Sequence, residues 1–267
     1  MKPKIILPTK QTREGSNMSH LKWMVYGPPG VGKSSFFEEM KSEGRAPLYL
    51  HTDPGLRFIK AYKQPISSWA QFKGYVDAIV EDPPKIYSII VLDIIDSLFR
   101  MCRKELCDRR DVEHISDEKW GKGYDMLRDE FEPTILKLAT LDVHGIGLAF
   151  ISHQKSVEMK GRLTRTSKII PTLPSGAHTV LAPLCDIIGY AGFALDSADD
   201  PDEMGRRIYF EPSETVEAKD RTGLLPKACD LDFGLIKKYL DEGIKKDGPA
   251  PIPSKPKAGQ RRKKKRR

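Results

Sequence analysis

The sequence predicts an α/β fold with a mainly parallel central sheet, helices on both of its faces, and an antiparallel C-terminal edge. Three observations predict it. Short continuous apolar runs alternate with segments whose apolar residues recur at helical spacing. A glycine-rich turn joins the first apolar run to the first helical segment. Two late apolar runs flank an acidic turn, Asp199-Asp200-Pro201-Asp202, as the arms of a hairpin do.

Taken in order, residues 1–20 are polar and irregular. Leu21–Tyr26 reads as a buried strand, Gly27–Ser34 as the glycine-rich turn, and Ser35–Glu43 as a helix that Gly44 could end. Pro47–Thr52 is a second strand. Ser67–Val80 carries Trp69, Phe72, Val76, Ile79 and Val80 at helical spacing. Ile86–Asp93 is a continuous apolar strand of the kind buried on both faces. Residues 96–110 and 117–141 are helical by pattern, and Ile146–Ser152 is another buried strand. Residues 154–182 form a long polar, basic stretch with little periodicity. Cys185–Leu195 and Arg206–Glu211 are the late strands, and Asp232–Gly243 is a closing helix. From Asp247 on, Pro, Lys and Arg dominate, a composition that predicts disorder. The expected organisation is therefore an irregular segment (1–20), one large domain (21–246) and a basic tail (247–267).

Charge and composition exclude several classes. The chain of 267 residues has net charge +8, but residues 255–267 hold nine Lys/Arg and no acid. Without them 36 Lys/Arg face 37 Asp/Glu, so the body is at −1 and any nucleic-acid surface on it must be a local patch. No apolar run reaches the roughly 18–20 residues that span a bilayer, so no membrane partner is expected. The apolar part of the start is too short for a secretory signal. Cys102, Cys107, Cys185 and Cys229 are scattered rather than densely patterned, which predicts a reducing, intracellular setting. The spacing of Cys102, Cys107 and His114 is not that of the common zinc fingers.

Gly27-Pro28-Pro29-Gly30-Val31-Gly32-Lys33-Ser34 matches the phosphate-loop pattern G-x-x-x-x-G-K-[ST] without a gap, with Ser35 following. Its glycines let backbone N–H groups turn inward around phosphate oxygens, and the helix start adds partial positive charge. Lys33 is expected to reach the β/γ phosphates and the Ser34 hydroxyl to bind Mg²⁺. Asp93, at the end of an apolar strand, is the second expected Mg²⁺ partner, while Asp96 is expected to cap a helix. No Glu follows Asp93, as it does in many ring-forming ATPases, and no Asn-Lys-x-Asp guanine-reading motif occurs. Asp53, at the end of the strand after the first helix, can converge with Asp93 on one crevice and activate water. The alternative reading, less favoured, is the acid of an Asp-Pro-Gly turn.

On these residues the chain resembles the RecA-like ATPases, and within them the phage-type, core-only branch associated with single-strand annealing and recombination. The resemblance rests on the loop 27–34, on Leu50–Leu56, on Ile89–Asp93 with Asp96-Ser97-Leu98, on Trp120–Tyr124 and on Leu148–Gln154. It implies ATP and Mg²⁺ as cofactors and hydrolysis as the activity. It implies that His153 and Gln154 sense the γ-phosphate, and that a mobile basic loop with Lys155, Lys160, Arg162, Arg165 and Lys168 lines a single-stranded DNA channel. Lys219 and Arg221 would reach into a neighbouring subunit's site, which implies a homo-oligomer, ring or filament. A single-strand-binding protein is an implied partner, and the cytoplasm of a bacterial host the implied location. A replicative helicase-type motor or loader, a small-molecule kinase and a nucleotide switch are the competing readings. The terminal run Arg261–Arg267 could touch nucleic acid without sequence preference.

Overall fold

The structure is a computed structural model that describes residues 20–41, 44–118, 121–160, 165–195 and 204–246. The expected irregular segment up to residue 19, Trp120, Arg162, the acidic turn 199–202 and the basic tail lie outside them. Among the described residues, no helix is long and apolar enough to cross a membrane.

The strands are β1 (Lys22–Tyr26), β2 (Ala46–His51), β3 (Tyr62–Pro65), β4 (Tyr87–Asp93), β5 (Gly147–Ser152), β6 (Gln154–Lys160), β7 (Arg165–Pro171), β8 (Ile187–Leu195), β9 (Met204–Tyr209), β10 (Lys219–Asp220) and β11 (Ala228–Asp230). The helices are α1 (Lys33–Glu38), α2 (Trp69–Glu81), α3 (Ile95–Arg110), α4 (Lys122–Ala139), α5 (Ser175–Leu184) and α6 (Phe233–Lys246). The main sheet runs β11-β9-β8-β1-β5-β4-β2-β3, with β10 also paired to the start of β8. From β8 to β3 every pairing is parallel, whereas β9, β10 and β11 join antiparallel. The fold is the predicted one, antiparallel edge included.

Side chains alternate across each strand, and both faces are covered, which is why the central strands read as unbroken apolar runs. On one face Met24, Tyr26, Leu50, Ile90, Leu92 and Phe150 pack beneath α2, α3, α4 and α5. On the other, Trp23, Val25, Tyr49, Val91 and Ile151 pack with Phe36 and Phe37 of α1 and Phe233, Ile236 and Leu240 of α6. Helix α2 starts at Trp69 because the Ser68 side chain caps it, accepting from the Gln71 N–H.

Three expectations are corrected. Helix α1 stops at Glu38, five residues short of the expected end, and the Met40 carbonyl accepts the buried Ser88 hydroxyl instead of a helical N–H. The strand β3 was not expected, because Tyr-Lys-Gln-Pro is polar; at a sheet edge a polar strand with a terminal proline is tolerated. The basic stretch 154–182 is not a continuous loop. It forms the β6–β7 antiparallel hairpin, in register at Val157↔Lys168, followed by α5. Among the described residues no further strand flanks β6–β7, so the stretch lacks the buried-face alternation that marks a strand in sequence. A bridge between Ile169 and Val216 ties the hairpin to the segment before β10.

Candidate functional site

The phosphate-loop residues follow β1 and face the C-terminal ends of the parallel strands. Gly27 is required by close approach, since a Cβ there would lie 2.0 Å from the Ala191 carbonyl oxygen. Gly32 has φ 105°, in the left-handed region, at the cap of α1. The Lys33 Nζ folds back and donates to the carbonyls of Gly27 (2.9 Å) and Pro28 (2.8 Å). Burial pushes the Lys33 ammonium down to about 8, against the pull of the Asp93 and Asp96 carboxylates. The Ser34 hydroxyl donates to Asp93 Oδ2 at 2.7 Å, and the Tyr49 hydroxyl pins the Ser34 carbonyl at 2.7 Å. Asp93 is buried. That burial raises its carboxyl above the ordinary range, although the Ser34 hydrogen bond and the Lys33 charge oppose the rise.

A cavity of about 450 Å³ opens at this point. Pro29, Gly30, Gly32, Lys33, Ser34 and Ser35 line it from the loop, and Asp53, Asp93 and His153 from neighbouring strands. The parallel order explains the convergence: β2, β4 and β5 all end at the same crevice. Gly27, Pro28, Val31 and Gln154 do not line it. Asp53 takes the turn contact, its Oδ1 accepting the Gly55 N–H at 3.1 Å, and the residue also lines the cavity.

His153 and Gln154 differ in place but share an oddity. His153 Nδ1 and Gln154 Oε1 are buried without a hydrogen-bond partner among the described residues, an arrangement that costs free energy unless a ligand or water completes it. Asp96 is not the expected helix cap. Its Oδ1 accepts the Thr172 hydroxyl at 2.7 Å, and so links α3 to the segment that leaves the hairpin.

The basic residues lie elsewhere. Lys155 is exposed on β6 and Lys168 half-buried opposite Val157, while Lys160 and Arg165 pair through their backbones at the far end of the hairpin. Lys219 and Arg221 do share one target, as the strand spacing predicts, but within this chain that target is the end of α5. Lys219 Nζ donates to the Ala182 (2.7 Å) and Cys185 (2.6 Å) carbonyls, and Arg221 donates to that of Pro183 (2.6 Å) and pairs with Asp186 at 3.5 Å. Both sit beside the start of β8, at the opposite end of the strands from the loop.

Sequence reasoning missed Arg206, which also lines the cavity. No spacing signal marks it, since its place depends on β9 lying two strands from β1. For a metal, the Ser34 hydroxyl and Asp93 carboxylate are hard oxygen donors of the type Mg²⁺ takes together with substrate phosphates. Among the described residues no cluster of three or more His, Cys, Asp or Glu could hold a metal alone, the cysteine pair of α3 included.

Comparison with known proteins gives three findings. A family model described as an AAA domain matches residues 19–222. An uncharacterized SPbeta prophage-derived protein of Bacillus subtilis (strain 168), YorG, is 30% identical over 167 residues, 61% of this chain and 46% of that protein. The chain thus spans about half the length of the curated relative it matches. A RadB recombinase crystal structure superposes over 76% of this chain and 91% of that one, at TM-score 0.43 and 15% identity. At that score the likeness decides nothing, and the fold described above rests on its own strand order.

Proposed function

The chain belongs to the AAA-domain family, and from that premise we propose that it is a Mg²⁺-dependent, RecA-like ATPase that binds single-stranded DNA in phage recombination or annealing. The observation that carries the reading is the contact of 2.7 Å between Ser34 and Asp93, beside Lys33, in one cavity with Asp53 and His153. The backbone of residues 27–35 cradles the phosphates of ATP, and Lys33 holds the β/γ oxygens. Ser34 and Asp93 hold Mg²⁺, which when bound neutralises phosphate charge. The Asp53 carboxylate orients a water and takes its proton. His153, whose Nδ1 has no partner among the described residues, senses the γ-phosphate, and Gln154 carries that signal to β6.

The hairpin β6–β7 offers Lys155 and Lys168 to the DNA backbone, and the basic residues Lys160, Arg162 and Arg165 of the same stretch of sequence belong to the proposed contact. A homo-oligomer, ring or filament, lets Lys219 and Arg221 complete a neighbour's site, because in their own chain they lie at the wrong end of the sheet. The prophage origin of the relative supports a phage role and hence a bacterial host cytoplasm. The AAA name does not supply a catalytic Glu after Asp93, so the base falls to Asp53.

The test is ATP hydrolysis with and without single-stranded DNA, on the wild type and on Lys33→Ala and Arg221→Ala. DNA should stimulate turnover, and each variant should lose about 10²–10³-fold in it. Turnover indifferent to DNA, with Arg221→Ala equal to wild type, removes the recombinase reading.

A further inference from the structure

We propose that Arg206 grips the diphosphate portion of the nucleotide bound in its own chain. The inference rests on the reading of the cavity as a nucleotide site. Strand β9 is held on both edges: Phe193 of β8 lies opposite Arg206, and the Leu231 N–H donates to the Arg206 carbonyl at 2.8 Å. The guanidinium is therefore launched from a fixed backbone. Its Nη1 stands 3.3 Å from where a Cβ on Gly32 would lie, so it rests directly over the loop.

Among the described residues no hydrogen bond or ion pair holds this guanidinium. The contrast is with Arg45, Arg110 and Arg221, each of which has a partner. A free arginine against a phosphate loop has an unspent fork of donors, which suits phosphate oxygens better than an ammonium does.

Sheet order gives the side of approach. Strand β1 lies between β5 and β8, so Asp93 and His153 approach the loop from one flank and Arg206 from the other. The cavity places two carboxylates, Asp53 and Asp93, toward the flank where water and metal would act. Arg206 balances them from the opposite flank, beside Gly32, where the inner phosphates rest on the loop. Its role is binding rather than assistance at the γ-phosphate.

Fluorescence titration with mant-ATP and mant-ADP tests this on wild type, Arg206→Ala, Arg206→Lys and, as a loop control, Lys33→Ala. Arg206→Ala should weaken both nucleotides alike by about tenfold or more, and Arg206→Lys should recover part of the loss. The melting temperature should stay at the wild-type value, because the guanidinium holds nothing in the free protein. Unchanged affinity overturns the inference. So does a loss confined to mant-ATP, which would put the guanidinium at the γ-phosphate. If wild type binds neither nucleotide, the nucleotide reading of the cavity falls first and this inference falls with it.

Discussion

In the free protein the Lys33 ammonium is held by two carbonyls of its own loop and is depressed to about 8 by burial. An incoming phosphate restores the charge, so above that pH binding must take up a proton. Affinity for mant-ATP should be flat below pH about 8 and fall as pH rises beyond it, by at most about tenfold per unit. Titrations across pH 6 to 10, at roughly constant ionic strength, check this. A flat profile through that range would mean that Lys33 stays charged in the empty loop. The meeting of residues 29–34 with Asp93 at one cavity was legible because the pattern expected of a phosphate loop needs fixed residue types at fixed local spacing. Arg206 was not, because its place at the cavity depends on which strand lies beside which. Asp53 was legible only as an ambiguity, and in the structure it both closes the turn at Gly55 and lines the cavity.

Among the elements, the face built from α2, α3 and α4 was the most readable, since each helix buries a stripe at i, i+3, i+4 spacing. At its centre the Phe131 ring stacks on Trp69 (5.8 Å between centroids) and meets Phe99 edge-on (5.0 Å). Phe131 is fully buried, so Phe131→Ala should cost about 3–5 kcal/mol of stability, read from the urea midpoint. A loss below about 1 kcal/mol would mean that the three helices close over the gap. The hairpin β6–β7 was the least readable element. Apart from the Ile169–Val216 bridge, its strands pair only with each other among the described residues, and their composition is largely polar, so the stretch resembles a loop while the backbone pairs in full. Asp96 misled for a related reason: a carboxylate in the first turn of a helix usually serves the helix, but Thr172 arrives from a distant segment and takes it.

For the whole molecule, what one chain cannot do for itself is the informative part. Lys219 and Arg221 brace the end of α5 in their own subunit, so any catalytic use of them requires a second subunit and release of those contacts. Light scattering should therefore show a mass increase on adding a non-hydrolysable ATP analogue, and Arg221→Ala should abolish it. If Arg221→Ala assembles like wild type and only melts earlier, the arginine is a brace and nothing more.

The order of the sheet has one more consequence, which concerns synthesis. Strand β1 pairs only with β5 and β8: Lys22 lies opposite Leu148, and Trp23 opposite Ile187. On the ribosome β1 emerges before both of its partners, which lie more than a hundred residues downstream. Until β5 has been made, β1 and β4 have nothing between them, and Ser34 cannot meet Asp93. A nascent chain cut short before Ile146 therefore carries the entire glycine-rich motif without the strand that joins it to Asp93, and the cavity is complete only once β9 has brought Arg206 to its rim.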